Sequence, residues 1–310
     1  MVGLLFACTA AVEDTAPDLS FSYPLDDVLR LNHGQVRGTH NSYHVDPGGP
    51  VDEWKYTHPT LTEQLDLGIR QFELDVYWDD ELAVYHFPAV DEQSTCPTLS
   101  ACMDELNAWS ERHPAHFPLL VLVEPKSAYD DLDPAVDYAL LEDTITASWP
   151  IERILRPADI QADHPDVATA LAVDGWPVLG EVRGGVVLSL LDRGEHGAFY
   201  KDVDDPLMFA GANPGDAWAG FFLMDDPSSD IAAAVLEGAL VRTRSDAGVE
   251  PDPERHAVAL DSGAHALSTD FADPDGGYVT GLPGGVSVNC NPVTAPPDCS
   301  PAALEDPQFF

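Results

Sequence analysis

Short apolar runs alternate along this chain with segments whose apolar residues recur at helical spacing. The runs are rich in aliphatic and β-branched residues and several end in an ionisable residue, a pattern typical of strands that lead into a site. Eight strands are predicted, at residues 35–39, 69–76, 82–85, 118–123, 185–191, 219–223, 239–241 and 264–271. Helical segments between them indicate βαβ units and a parallel sheet. We therefore expect an α/β fold with a single TIM-type (β/α)8 barrel, distorted or incomplete, whose long loops lie at the C-terminal face.

The length of 310 residues allows a full core in one large domain, although length alone would also permit two. We expect residues 1–20 to be a lipoprotein-like signal remnant and a tether, because acidic, small and proline residues follow one another there without periodicity. Residues 21–310 are expected to form the barrel domain.

The charge of the chain excludes one class of partner. There are 14 basic and 54 acidic residues, a formal net charge of -40. A protein that binds nucleic acid needs cations to neutralise phosphates, so we expect no nucleic-acid partner. The acidity is typical of a solvated surface in a salty medium, and it would be repelled by anionic lipid headgroups. We expect a monomer.

The five cysteines indicate an oxidising compartment. Cys96 lies close to Cys102 and Cys290 to Cys299, and we expect both pairs to form disulfides. Cys8 follows Leu-Phe-Ala, which resembles the lipobox of bacterial lipoproteins, but the segment before it is short and has no basic start. Either the start codon is assigned late or residues 1–7 are an ordinary apolar terminus. We expect an exported protein, extracellular or periplasmic, with a lipid anchor at Cys8 in the first case.

Candidate chemistry lies at the ends of the predicted strands. In the second strand, Glu73 and Asp75 are two residues apart and therefore point to the same face. Two buried carboxylates are unfavourable unless a cation neutralises them, so this spacing favours a metal site over a strand whose polar face is simply solvated. The other strand ends carry His40 with Asn41, His86, and Glu124. We expect one site with two imidazoles and a cage of carboxylate and amide oxygens for a hard cation.

In order along the chain, Gly38-Thr39-His40-Asn41-Ser42, Glu73-Leu74-Asp75, His86 and Glu124 resemble the calcium-dependent bacterial branch of the phosphatidylinositol-specific phospholipases C. The resemblance covers roughly residues 31–271. It implies a metal-dependent phosphodiesterase with His40 and His86 as catalytic residues and Asn41, Glu73, Asp75 and Glu124 as metal ligands. The resemblance implies calcium in preference to magnesium, and a ligand set of oxygens without sulfur suits a hard cation.

The resemblance also implies a reaction. In that family a hydroxyl of the substrate attacks phosphorus, which releases diacylglycerol and a cyclic inositol phosphate; hydrolysis of the cycle is a second step. The substrate would be a phospholipid at a transiently bound membrane surface. Lys126, Arg242 and Arg244 are candidates for binding the anionic headgroup, because Lys126 follows Glu124 by two residues and the two arginines share a strand face.

Two other functions stay open. A glycerophosphodiester phosphodiesterase would use similar residues, but that family shows His-Arg-Gly and His-Asp where this chain has His40-Asn41 and His86-Phe87. A non-catalytic exported calcium-binding protein would keep the cage without needing both histidines. Residues 211–220 lack the Lys-Ser/Thr ending of a nucleotide-binding loop. His113 and His116 are expected at a solvated helix end.

Overall fold

The computed structural model describes residues 21–79, 81–248, 250–273 and 277–309. The predicted tether at residues 1–20, with Cys8, lies outside this part of the chain. Eleven strands of the described residues form one sheet. The strands are β1 Gly34–Thr39, β2 Ile69–Trp78, β3 Leu82–Val84, β4 Leu119–Pro125, β5 Ile154–Leu155, β6 Val186–Leu190, β7 Phe209–Ala210, β8 Phe221–Leu223, β9 Leu240–Arg244, β10 Ala266–Thr269 and β11 Val288–Cys290.

Helices connect most of the strands. They are α1 Leu61–Asp66, α2 Leu99–Arg112, α3 Pro134–Ser148, α4 Pro157–Gln161, α5 Val167–Val173, α6 Leu179–Val182, α7 Glu195–Tyr200, α8 Ser229–Leu236, α9 Pro253–Asp261 and α10 Pro301–Leu304. Strand neighbours run in the order β5, β6, β4, β2, β1, β10, β9, β8. All seven pairs along this path are parallel, as crossover helices require.

The sheet curls into a barrel whose closure is irregular. The two-residue strands β5 and β7 pair with different ends of the same strand, β6. Beyond β7, the backbone N–H of Ala212 donates to the carbonyl of Phe221 in β8 at 3.2 Å. This bond links the β7 edge to the opposite edge of the sheet. The prediction of a distorted TIM-type barrel is confirmed.

The prediction that the third strand is one of the parallel strands of the barrel was wrong. β3 pairs antiparallel with β2, with Val84 opposite Val76. A parallel neighbour needs a crossover of a dozen or more residues, whereas here only residues 79–81 separate the two strands. The chain therefore turns back in a hairpin. β5 and β7 were not predicted, because two residues are too few for any periodicity to be visible.

Alternation along the strands separates the helical layer from the barrel interior. In β4, Leu120 and Leu122 belong to a buried cluster that also contains Val36 of β1. This cluster fills the interior, and Glu124 continues the same inward row at the C-terminal end of the strand. The apolar residues of β2 instead pack against α1 and α2; they are Phe72, Leu74 and Val76. The carboxylates between them therefore face the interior.

Both predicted disulfides are present, Cys96–Cys102 and Cys290–Cys299. The first joins the start of α2 to the segment before it, where the backbone N–H of Thr95 donates to the carbonyl of Tyr43 at 2.8 Å. The disulfide thus fixes a segment that contacts the loop after β1. Disulfides suggest an extracellular or periplasmic protein. Among the described residues, the helices are too short or too polar to cross a bilayer.

The expectation for His116 was also wrong. Its side chain is fully buried, and its ring nitrogens contact the Ser110 hydroxyl and the Phe117 carbonyl. Burial lowers the pKa of His116 to about 3, so the ring is neutral. The chain turns inward after α2, and a helical pattern that ends at a proline does not reveal this.

Candidate active site

Three carboxylates meet at the C-terminal end of the barrel. Glu73 and Asp75 lie on β2, and Glu124 lies on the neighbouring strand β4 directly opposite Asp75. One carboxylate oxygen of each lies within 4.8 Å of the others. Parallel neighbours end at the same edge of a sheet, so the register alone brings these side chains together. The structure therefore places all three residues where the sequence predicted a shared site.

Asp75 carries the highest electrostatic cost of the three. Its side chain is fully buried, and its Oδ1 has no hydrogen-bond partner among the described residues. Burial raises the pKa of Asp75 well above its usual range, and the charge of Glu124 raises it further. A buried carboxylate in this setting needs a nearby cation to stay ionised.

Lys126 supplies one positive charge. Its Nζ lies 2.9 Å from Oδ2 of Asp75 and donates a 2.9 Å hydrogen bond to Oε1 of Glu124. Burial lowers the pKa of Lys126, but the two carboxylates outweigh burial and the net direction is upward. The ammonium group thus occupies the space between two of the three carboxylates.

Arg242 neutralises the third carboxylate, Glu73. Its guanidinium group donates to Oε2 of Glu73 and to Oδ1 of Asp225. Burial alone would raise the pKa of Glu73, but the Arg242 charge outweighs burial, with help from His40, and the pKa falls below its usual range. Glu73 is therefore a carboxylate at neutral pH. Arg242 is buried, whereas Asp225 is largely exposed.

His40 lies beside this cluster with a carboxylate behind it. Its Nδ1 is 2.9 Å from Oδ1 of Asp270, and its Nε2 is 3.9 Å from Oε1 of Glu73. Arg244 donates to the other Asp270 oxygen at 2.8 Å. Burial would raise the pKa of Asp270, but His40 and Arg244 lower it to about 2. Asp270 was not predicted. Its position directly after β10, where the other strands carry site residues, is the sequence signal that would have identified it.

Asn41 follows His40 at a sharp turn. Its φ is 45°, in the left-handed region that asparagine tolerates better than most residues. The side chain is buried, and its Nδ2 donates to the hydroxyl of Tyr56 at 3.3 Å. The next residue, Ser42, exchanges hydrogen bonds with the backbone of Glu73. Asn41 is thereby held at the edge of the carboxylate cluster.

His86 is on the loop after β3, and its Nδ1 lies 2.8 Å from Oδ2 of Asp91. Burial lowers the pKa of His86, and Asp91 only partly opposes this effect. The two predicted catalytic histidines are connected by ring contacts. The Tyr56 ring lies 6.5 Å from His40 and 4.2 Å from His44, and the His44 ring lies 5.9 Å from His86. Both histidines therefore belong to one end of the barrel.

A cavity of about 350 Å³ opens at this end, beside Tyr56 and Asp270. A larger cavity of about 640 Å³ lies elsewhere, lined by Arg30, Ile154 and Arg183. These residues precede or begin strands, so that cavity opens at the N-terminal end of the barrel. Because catalytic groups of such barrels lie at the C-terminal end, the smaller cavity is the one that bears on chemistry.

The donor set fits a hard divalent cation. Carboxylate and amide oxygens are the ligands that calcium prefers. Three carboxylates meet here, those of Glu73, Asp75 and Glu124, and Asn41 directly precedes Ser42, which bonds to the Glu73 backbone. Oδ1 of Asp75 accepts no hydrogen bond among the described residues and the pKa of this carboxyl is raised, so a bound cation would stabilise its charged form. Two histidines backed by carboxylates, next to such a cluster in an α/β barrel, are typical of a metal-dependent phosphodiesterase.

Comparison with models of protein families identifies the family to which this phosphodiesterase belongs. The model of the Ca²⁺-dependent phosphoinositide phospholipases C matches residues 29–85 and 80–292. The chain belongs to this family, and it is accordingly an enzyme of the phosphodiesterase class. A search of curated proteins found no match.

Solved structures share the fold. A Ca²⁺-dependent phosphatidylinositol-specific phospholipase C from Streptomyces antibioticus superposes with a TM-score of 0.61 at 18% identity, covering 80% of this chain and 96% of that one. A calcium-dependent phosphoinositol-specific phospholipase C from Pseudomonas sp., in a myo-inositol complex, gives 0.63 at 16% identity, covering 87% and 98%. The chain thus spans nearly the whole length of both proteins.

Proposed function

We propose that this protein is a calcium-dependent enzyme that cleaves phosphatidylinositol-type phospholipids into diacylglycerol and a cyclic inositol phosphate. Hydrolysis of the cyclic product is a second step. The observation that carries the proposal is the convergence of Glu73, Asp75 and Glu124 within 4.8 Å, with His40 Nε2 at 3.9 Å from Glu73. Family membership supports the same reaction class.

Calcium would be held by Asn41, Glu73, Asp75 and Glu124. When bound, it would lower the pKa of the attacking inositol hydroxyl and stabilise negative charge on the phosphoryl oxygens. The remaining chemistry belongs to the chain itself. The four ligands come from two adjoining strands and the turn after β1, so they are fixed by the sheet rather than by a mobile loop.

His40 and His86 would move the protons. Nδ1 of His40 contacts Asp270 and Nδ1 of His86 contacts Asp91, so in each ring Nε2 is the nitrogen free to meet substrate. One of them accepts the proton of the attacking hydroxyl, and the other donates a proton to the leaving glycerol oxygen. Asp270 holds the His40 ring through the contact with Nδ1.

Lys126, Arg242 and Arg244 are proposed to bind the headgroup. The Lys126 and Arg244 side chains keep 21% and 16% of their surface exposed, so a phosphate oxygen has access to them. Arg242 is only 3% exposed and is bound to Glu73 and Asp225. Arg242 would bind a phosphate oxygen by giving up its contact with the exposed carboxylate of Asp225.

The substrate would be met at a membrane surface. The loop after His86 exposes Phe87 and Val90, with 54% and 55% of their surface accessible. Phe87 stacks on the half-buried Trp54, whose ring in turn lies 5.5 Å from His86. An apolar tip beside a catalytic histidine fits brief insertion among lipid chains. The net charge of -40 opposes approach to anionic bilayers, so contact would be transient and favoured by salt.

The remaining proposals concern the setting of the enzyme. We propose a monomer without a nucleic-acid partner, exported, and anchored through Cys8 if the lipobox-like segment is processed. Residues 21–310 would act as one catalytic domain, since the sheet order links β1 to the strands on both sides of it.

The test is to incubate purified protein with phosphatidylinositol or glycerophosphoinositol, each with calcium or a chelator, and to follow the products by phosphorus NMR. Calcium-dependent release of a cyclic inositol phosphate with diacylglycerol supports the proposal. Glycerol phosphate as the product would indicate a glycerophosphodiester phosphodiesterase. Inactivity under every condition, with His86→Ala equal to the wild type, would indicate a calcium-binding protein.

A further inference from the structure

One carboxylate oxygen, Oδ2 of Asp91, contacts two histidines. It lies 2.8 Å from Nδ1 of His86 and 2.9 Å from Nε2 of His44. Asp91 and His44 are fully buried, whereas the His86 side chain is 22% exposed. Only His86 therefore faces the site, and the other two residues lie behind it.

The hydrogen-bond partner of Nδ1 of His44 determines where the protons of the His44 ring lie. Nδ1 of His44 is 2.9 Å from the backbone carbonyl of Tyr56. A carbonyl only accepts, so Nδ1 must carry a hydrogen. A second proton must also lie between Nε2 of His44 and Asp91, since two lone pairs would otherwise face each other at 2.9 Å. The Asp91 oxygen then has one bonded partner already when it accepts the N–H of His86.

The backbone holds this arrangement tightly. Phe87 and Asp91 exchange two backbone hydrogen bonds of 2.9 Å, which closes a loop of five residues and fixes Asp91 beside His86. The His44 ring stacks on Tyr56 at 4.2 Å. His44 also pairs with Ser94 in an isolated bridge, two residues before the Cys96–Cys102 disulfide. The three side chains have little freedom to choose other partners.

We propose that Asp91 and His44 are positioning residues that hold His86 with hydrogen on Nδ1 and a free Nε2 turned toward the substrate. The proposal rests on the proposed function only for its catalytic consequence. It gives His86 the same support as His40, whose carboxylate Asp270 is in turn bonded to Arg244. Each catalytic imidazole would be backed by a carboxylate that has a second donor.

The first variant is Asp91→Asn, which keeps the size of the side chain. An amide is uncharged and does not hold the second proton, so Nε2 of His44 becomes an acceptor and takes the NH₂ group, which then also faces Nδ1 of His86. We expect the His86 tautomer to change and kcat on phosphatidylinositol to fall roughly 10²- to 10⁴-fold, the range for a misplaced acid–base histidine. KM should stay within about threefold, because Asp91 does not face the substrate.

Two variants at His44 distinguish an effect on the position of His86 from an effect on folding. His44→Gln keeps a donor toward Asp91 and should retain most of kcat, whereas His44→Phe removes it and should approach the loss in Asp91→Asn. His116→Gln is the matched control: it also removes a fully buried histidine, but at the opposite end of the barrel. It should lower stability and leave kcat and the His86 tautomer unchanged.

The decisive readout is the nitrogen NMR spectrum of the His86 ring, which reports the tautomer without substrate or calcium. A wild-type ring with hydrogen on Nδ1, altered in Asp91→Asn, supports positioning even if phosphatidylinositol is not cleaved, in which case only the proposed function fails. An active wild type whose kcat and tautomer are unchanged in Asp91→Asn overturns the inference. If Asp91→Asn does not fold, two other results overturn the inference. One is a wild-type His86 ring with hydrogen on Nε2 alone, and the other is an equal kcat in His44→Gln and His44→Phe.

Discussion

Lys126→Met should strengthen calcium binding. The Lys126 ammonium group lies 2.9 Å from both Asp75 and Glu124, in the space that a cation between these carboxylates would need. Calcium takes oxygen ligands at about 2.3–2.6 Å, so the ammonium group must leave when the ion binds. In the wild type, calcium binding would therefore be weakened by the free energy needed to break these contacts.

The size of the effect follows from what the ion must replace. One hydrogen bond between charged groups contributes about 1.5–3 kcal/mol, and Lys126 makes one of this kind to Glu124. Removing it should lower the calcium Kd roughly 10- to 100-fold. If the displaced Lys126 then binds the headgroup, as proposed, the same variant should raise KM for phosphatidylinositol.

Calcium titration calorimetry on the chelator-treated protein measures the first effect. Lys201→Met is the control, since its ammonium group lies 3.6 Å from a half-exposed carboxylate, Asp216, outside the site. It should leave the calcium Kd unchanged. An unchanged or weaker calcium affinity in Lys126→Met would refute the reasoning, because Lys126 would then not compete with the ion.

Three further predictions concern neighbouring residues. Asp270 has a pKa of about 2 instead of 3.8, a stabilisation present above pH 3.8 and lost as the pH falls through 2. Asp270→Asn should therefore lower the free energy of unfolding at pH 7 by about 2 kcal/mol, and far less near pH 2, in urea titrations; an equal loss at both pH values contradicts this. The pKa of Asp75 is raised, so its carboxylate destabilises the calcium-free fold increasingly as the pH rises above 3.8. Asp75→Asn should raise the Tm at pH 8 in chelator and abolish the rise on adding calcium; a lower Tm in chelator contradicts it. Phe87→Ser should weaken binding to vesicles of neutral phospholipid with phosphatidylinositol severalfold in sedimentation, whereas Val136→Ser, at a still more exposed position on α3, should not; equal loss in both would exclude the loop tip as the membrane contact.

The sequence predicted the parts of the site that depend on short-range pattern. The two-residue period of β2 put Glu73 and Asp75 on one face, and the continuous apolar run of β4 identified a strand covered on both sides. Parallel pairing then made these strand ends neighbours. The same reasoning gave the barrel, because strands that alternate with helices have few other arrangements.

What the sequence did not reveal depends on contacts between distant segments. Asp270 lies 230 residues from His40, and no local period connects them. Asp91 is only five residues from His86, but its role depends on the loop that brings the two together. The positive φ in this loop falls on Ala89, and alanine is not a residue from which a turn would be predicted. The position of Lys126 between two carboxylates also follows from the register of β2 and β4. The direction of β3 was mistaken because its pattern is the same in a hairpin and in a barrel.

Calcium titration calorimetry on single carboxylate variants tests the central claim most directly. The account predicts one calcium ion per wild-type chain, with the Kd weakened at least roughly 100-fold in each of Glu73→Gln, Asp75→Asn and Glu124→Gln, as expected when an ion loses a charged ligand. Glu254→Gln, an exposed residue in the first turn of α9, should bind calcium like the wild type. A wild-type chain that binds no calcium, or the same Kd in all four variants, would contradict the account.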